Sequence, residues 1–234
     1  MARHLTLLVA TTNRGKIVEL TQLLADLPID LVPMSIALPN RPPVVEDGAT
    51  FEENALIKAR AAAQAAMMPT LAEDSGLEID ALGARPGVRS ARFSKDGATD
   101  AENNAAVLKA LEDIDDDQRN ARFRCAMVLI DPWRDVEPGE NGSSGAGPRS
   151  AGQRGVVTEG RCEGHIARQV RGSGGFGYDP LFVVDGYART MAELTDAEKN
   201  VVSHRARAVE ALRPHLVELI EKRAAAAARV LGGG

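Results

Sequence analysis

The run Leu71-Ala72-Glu73-Asp74-Ser75-Gly76-Leu77-Glu78-Ile79 constrains the fold more than any other stretch of the chain. Its apolar residues read as a strand, yet two adjacent carboxylates interrupt it. Burying such groups is costly unless each is paired or metal-bound. Alternation along a strand sends Glu73 and Ser75 to one side and Asp74 to the other, unless Gly76 marks a twist or bulge. Hard oxygen ligands of this kind suit Mg²⁺, which commonly takes one or two carboxylates together with substrate phosphates. An acidic turn closing the strand is the simpler alternative. It fits less well, because Leu77-Glu78-Ile79 resumes strand character.

The rest of the chain alternates helical and strand patterns. Leu5–Ala10 reads as a buried strand, which hands over through Thr11-Thr12-Asn13 to a helix carrying Ile17, Leu20, Leu24 and Leu27 on one face. Leu31–Ser35 reads as a second strand. Thr50-Phe51-Glu52-Glu53 has the capping-box pattern and opens an Ala-rich helix to about Met67, with Met67 and Met68 as core filler. Asp96–Leu111 predicts a further helix, and Ala121–Asp131 and Gly155–Ala167 predict strands. Residues 132–154, rich in Gly, Ser and Pro, read as a flexible inserted loop. Thr195-Asp196-Ala197-Glu198 repeats the capping pattern, and the last helix places Val209, Leu212, Leu216 and Leu219 together. Ala224–Gly234 reads as a fraying helix end and a disordered tail. The order predicts an α/β fold, a mixed sheet with flanking helices, in one domain over residues 1–223.

Composition narrows the partners. A chain of 234 residues, 44% hydrophobic, suits one large globular domain or two closely associated lobes. A net charge of −5 with no block of like charges argues against a broad nucleic-acid or anionic-membrane surface. Phosphate binding must then rest on a few lysines and arginines inside a cleft. Cys125 and Cys162 suggest neither a disulfide framework nor a zinc site, and Cys125 reads as a buried small hydrophobe. The apolar run at Leu5–Ala10 is too short for a membrane span and lacks a signal-peptide layout, so a cytoplasmic protein is expected.

Four more polar islands accompany the Glu73-Asp74 pair. Thr11-Thr12-Asn13-Arg14-Gly15-Lys16 lies where a strand meets a helix, and free N–H groups at a helix start favour anions. It lacks the first glycine of a P-loop and the Ser/Thr after its lysine. Glu46-Asp47 precedes a helix on which Asn54 and Lys58 share a face. In Gly172–Pro180, glycines that permit positive φ and close approach surround Phe176, Tyr178 and Asp179, and a ring so placed can stack on a nucleobase. The formal G-x-G-x-x-G there is no dinucleotide fingerprint, because Leu181-Phe182-Val183-Val184 follows as a strand where a helix is required. The last island is Lys199 with Ser203-His204-Arg205. On one continuous helix Lys199 and His204 stand about 140° apart. They converge only if the helix breaks, and Ser203 can cap a new one. Singly, these islands read as a helix start, an acidic turn, a glycine turn and a solvated basic face. Together they describe a nucleoside triphosphate site.

These motifs, in this order, resemble the inosine triphosphatase-like (Ham1) family of pyrophosphatases acting on non-standard purine nucleoside triphosphates. The resemblance rests on Thr-x-Asn-x-x-Lys at 11–16, Glu-Asp-Ser-Gly-Leu at 73–77, the Gly172–Pro180 loop, and Glu198-Lys199 ahead of Ser203-His204-Arg205. It runs from Leu5 to about Leu219 and leaves out 132–154. It implies an elongated mixed α/β fold with two lobes around a central cleft, assembled as a homodimer. The implied activity splits ITP, dITP or XTP into monophosphate and pyrophosphate, with Mg²⁺ as cofactor.

By the same resemblance, Thr11, Thr12, Asn13, Arg14, Gly15 and Lys16 hold phosphates, aided by Lys58. Asp74 is general base and metal ligand, with Glu46 and Glu73 as further metal carboxylates. Ser75, Phe176, Gly177, Tyr178, Asp179, Lys199, His204 and Arg205 complete the substrate site. Arg205 and His204 offer hydrogen-bond donors to a 6-oxo purine, which adenine's amino group cannot accept. The rival readings are a pyrophosphatase for other modified nucleotides and a non-catalytic nucleotide sensor.

Overall fold

The first strand, β1 (Leu5–Val9), is buried except at Thr6 and lies parallel to β2 (Ile29–Pro33) on one side and to β3 (Thr70–Ile79) on the other. The helix between the first two strands, α1 (Arg14–Leu23), starts at Asn13, whose side chain accepts from the Lys16 amide. It stops before Leu27, which packs against the core from the following turn. After β2 come a short α2 (Met34–Ala37) and then the long α3 (Phe51–Ala66). The computed structural model describes residues 4–42, 44–133 and 155–232. The proposed insertion at 132–154 lies, beyond Trp133, outside the described residues until Gly155.

The remaining strands run antiparallel. β4 (Arg85–Pro86) pairs with the end of β3, and β5 (Asn120–Ile130) pairs with the whole of it. β6 (Val156–Ile166) and β7 (Phe182–Val184) complete a seven-stranded mixed sheet, with β4 beside β3 and the main path ordered β2-β1-β3-β5-β6-β7. α4 (Asp100–Ala110) starts later than its sequence pattern suggests. Thr99 and Glu102 form a reciprocal capping box there and fix the first turn. The Thr50–Glu53 pattern is only half reciprocal: Thr50 Oγ1 accepts from the Glu53 amide, but the Glu53 carboxylate takes the Ala49 amide.

The long strands β3 and β5 pass through separate apolar clusters. Around Leu71, Met127 and Leu129 the core includes α1 and α6 (His204–Gly232) on one face, with the alanines of α3 packed on the other. Around Leu77, Phe123 and Ile166 the partners are Val107, Leu111, Tyr178 and Phe182. Glu73, Asp74 and Ser75 therefore sit in mid-strand between two cores. Cys125 is buried, as its apolar surroundings indicate. Met67 is no core filler: it caps α3 in the left-handed region, at φ 52°. The Ala-rich stretch from Ala224 continues α6 through Gly232, consistent with alanine's high helix propensity.

Candidate active site

The pairing of β3 leaves an opening. β1 ends opposite Leu71, and β4 joins the same edge only at Glu78. Between them a cavity of about 440 Å³ opens, lined by Asp74, Ser75 and Gly76. That volume lies in the usual range for small-molecule sites. The N-terminus of α1, the approach to α3, the glycine loop and the α5–α6 junction close around it, where α5 is Asp196–Val202.

At one end two carboxylates share a cation. Lys58 Nζ donates to Glu46 Oε2 at 2.8 Å and to Asp74 Oδ1 at 2.9 Å. Asn54, one turn earlier on α3, donates to Asp74 Oδ2 at 3.3 Å. Burial pulls the Lys58 ammonium toward neutrality, but the charges of Asp74 and Glu46 outweigh it and raise its pKa. The ammonium marks a place where both carboxylates reach one positive centre. Among the described residues no three acidic, imidazole or thiol groups gather as a metal cage. Two oxygen-donor carboxylates facing an open cavity are nonetheless the kind of protein donor set with which Mg²⁺ joins substrate phosphates.

The other face of β3 holds a buried ion network, as strand alternation requires. Glu73 is 1% exposed and accepts from Arg205 Nε at 2.7 Å and Nη2 at 2.8 Å, while Lys16 Nζ lies 3.0 Å from it. Burial opposes the Glu73 charge, but Arg205 and Lys16 overcome this and hold the carboxyl well below the usual range. Arg205 also donates to Ser75 Oγ at 3.2 Å and, through Nη1, to Glu19. Glu19 reaches Lys199 Nζ at 2.6 Å, and Lys199 meets Asp179 at 2.6 Å. Opposite charges are matched throughout, which is what makes such burial tolerable.

The glycine loop supplies the aromatic face. Asp179 accepts from the Phe176 amide at 3.0 Å, and the Phe176 ring lies 5.4 Å from Lys199 Nζ and 5.6 Å from Arg205 Cζ. Gly15 makes room for it: a methyl group there would sit 2.5 Å from Phe176 Cδ1. Tyr178 is a different case. Its hydroxyl donates to the Ser90 carbonyl at 2.7 Å and its ring belongs to the apolar core, so Phe176 is the ring left half-buried at the cavity. His204 stacks on Phe123 with centroids 4.8 Å apart. Burial and the adjacent Arg205 charge keep its imidazole neutral, and its Nδ1 has no hydrogen-bond partner.

The α5–α6 junction shows how distant motifs meet. Ser203 leaves the helical region at φ −67° and ψ 153°, and its hydroxyl accepts from the Ala206 amide at 3.1 Å. The helix breaks where its capping residue allows, so Lys199 and His204 both face the cavity.

Most of the sequence-derived residues line this one cavity: Thr11, Thr12, Asn13, Lys16, Glu46, Lys58, Asp74, Ser75, Phe176, Gly177, Tyr178, Asp179, Lys199, His204 and Arg205. Three do not. Arg14 is exposed beside it, Gly15 backs Phe176, and Glu73 is spent on Arg205 and Lys16. Glu73, expected among the metal carboxylates, is here the partner of two protein cations, Arg205 and Lys16. Arg205 likewise carries no open fork, since Glu73, Ser75 and Glu19 occupy it. Sequence reasoning missed Glu19, and also Arg41 and Arg92, cavity-lining guanidinium groups without an ion-pair partner among the described residues. Glu19 had a faint signal, lying three residues after Lys16 beside the core residue Leu20.

With this geometry in hand, the relatives are informative. The Ham1 family pattern matches residues 7–215. The chain belongs to the Ham1 family. A dITP/XTP pyrophosphatase of Geobacter sulfurreducens is 44% identical over 210 residues, covering 90% of this chain and 96% of that protein. The dITP/XTP pyrophosphatase of Geobacillus kaustophilus is 40% identical over 214 residues, 92% of this chain and 95% of its own. Among solved structures, a HAM1 protein from Coxiella burnetii is 42% identical with a TM-score of 0.75, covering 92% of this chain and 99% of that one. The Ham1 relatives thus match the fold and nearly its whole length.

Proposed function

We propose that this Ham1 family member hydrolyses non-standard purine nucleoside triphosphates (ITP, dITP and XTP) to the monophosphate and pyrophosphate. The observation that carries the reading is the convergence of Asp74, Lys58, Lys16, Phe176, His204 and Arg205 on one cavity. Relatives called dITP/XTP pyrophosphatases over nearly the full chain support it. The most direct test incubates purified protein with Mg²⁺ and a panel of triphosphates and resolves pyrophosphate from orthophosphate. ITP and XTP are expected to yield pyrophosphate, with ATP a poor substrate. Orthophosphate as first product would move attack to the γ-phosphorus and overturn the reading.

Each residue has a physical task in this scheme. Phe176 offers a face for the base, and the Arg205 and Lys199 charges beneath it are held by Glu73, Glu19 and Asp179. A donor at His204, whose Nδ1 has no hydrogen-bond partner, suits a 6-oxo acceptor, while Arg205 is held by Glu73, Ser75 and Glu19. Opposite adenine's amino group a buried donor stays unpaired, at a cost of about 1–3 kcal/mol. Lys16 and the start of α1 receive phosphates. Asp74 orients and deprotonates a water for attack at the α-phosphorus, and positioning of that water supplies much of the rate. Glu46 and Asp74 would hold Mg²⁺, which neutralises phosphate charge when bound. Lys16, Lys58 and Lys199 are already matched by carboxylates, so a divalent cation would join Arg41 and Arg92 in offsetting the charge of an arriving triphosphate. Homodimer assembly belongs to the same proposal through the family resemblance, and the cytoplasmic location expected from the N-terminal sequence goes with it. Among the described residues no helix is long and apolar enough to cross a membrane.

A further inference from the structure

Asn54 is 1% exposed and none of the roles above uses it fully. Its Oδ1 accepts from the Gly48 amide at 2.9 Å, and its Nδ2 donates to Asp74 Oδ2 at 3.3 Å. The amide's orientation follows from the partners, since a backbone N–H can only donate and an ionised carboxylate can only accept. Gly48 lies two residues after Glu46, so one side chain joins the segment that carries Glu46 to the carboxylate of Asp74. The approach is tight. A methyl group at Gly48 would stand 2.8 Å from Asn54 Oδ1 and 2.7 Å from Glu53 Cβ. The neighbouring Ala49 amide is held by Glu53 at 2.6 Å, so two side chains from the first turns of α3 strap this segment down.

Resting on the pyrophosphatase reading, we propose that Asn54 is a positioning residue that fixes the Glu46 segment and the Asp74 carboxylate relative to each other. Lys58, one turn along α3, joins the same two partners by charge. A divalent cation would compete with that ionic hold. The bonds of Asn54 are made by a neutral amide and survive a change of counter-charge, so they preserve the spacing of the two carboxylates whichever cation lies between them.

Two variants separate the two arms. Asn54→Asp keeps an acceptor for the Gly48 amide, loses the donor to Asp74 and sets a like charge against it, whereas Asn54→Ala loses both bonds and adds no charge. With ITP and Mg²⁺, Asn54→Asp is expected to lower kcat by roughly 10- to 100-fold with KM for ITP unchanged, the scale typical for groups that orient metal-site ligands. Asn54→Ala is expected to weaken Mn²⁺ binding, followed by electron paramagnetic resonance of the free ion, by about tenfold as well. Should Asn54→Ala fail to fold, Asn54→Ser, which likewise adds no charge, takes its place in the kcat and Mn²⁺ measurements. Wild-type kcat in Asn54→Asp, or a kcat loss matched by an equal rise in KM and a fall in melting temperature, overturns the positioning role. If the wild type releases no pyrophosphate, the functional reading fails by itself. The Mn²⁺ titration then decides, and equal affinity in wild type and Asn54→Ala ends the proposal.

Discussion

Asp74 gives each carboxylate oxygen one fixed partner, Lys58 on Oδ1 and Asn54 on Oδ2, and keeps further lone pairs for a water or cation. Asp74→Asn preserves shape and removes the charge that a base needs. Its kcat for ITP is expected to fall about 10²- to 10⁴-fold, measured as pyrophosphate release at saturating substrate. A value near wild type would remove Asp74 from that role. Glu73, its neighbour in sequence, shows the limit of residue-level reading. The cost of burying it was legible, but its partner Arg205 lies 132 positions away, and no local pattern names it. Glu19 escaped notice for a related reason. A single acidic residue on a short helix ordinarily faces solvent, and only the packing of α1 against α5 and α6 turns it toward Lys199 and Arg205.

At the scale of elements, local rules performed well wherever the signal was a cap or a period. Ser203 breaks the helix as its capping chemistry allows, and the glycine loop leads into β7 rather than a helix. The missed start of α4 came from passing over Thr99 and Glu102, a pair as informative as the one recognised at Thr195. The contact between α1 and the glycine loop was not legible, since Gly15 in isolation looks like a weak helix residue. Its structural meaning is testable. Gly15→Ala gains about 1 kcal/mol of helix propensity, yet its methyl group would force Phe176 away. With base stacking worth about 1–3 kcal/mol, KM for ITP is expected to rise roughly 5- to 150-fold. Calorimetry should show no loss of melting temperature alongside it. An unchanged KM would show that Phe176 does not stack on the base.

For the whole molecule, the buried charges and the neutral His204 set a pH dependence. Burial, reinforced by Arg205, holds the folded His204 well below its ordinary pKa. As pH falls below about 6.5, the unfolded chain takes up a proton that the folded chain refuses, so stability falls. The slope is at most about 1.4 kcal/mol per pH unit for one such group. Glu73, depressed in the folded state by Arg205 and Lys16 against its burial, adds stability above the ordinary carboxylate range that is lost as pH drops through and below it. Urea unfolding at pH 7.5 and 5.5 should show this loss in wild type and a smaller one in His204→Gln, and equal losses would remove His204 as the cause. Sequence alone determined the long strands and helices, the caps at Thr50, Thr195 and Ser203, and the opposite faces of Glu73 and Asp74, because alternation and periodicity act between near neighbours. Tertiary structure alone decided that Glu73 pairs with Arg205 and Lys16, that the Tyr178 ring joins the apolar core while Phe176 stays half-buried at the cavity, and that Asn54 spans two carboxylate-bearing segments. Those outcomes depend on which surfaces pack together across the sheet, and such packing is encoded by no local spacing.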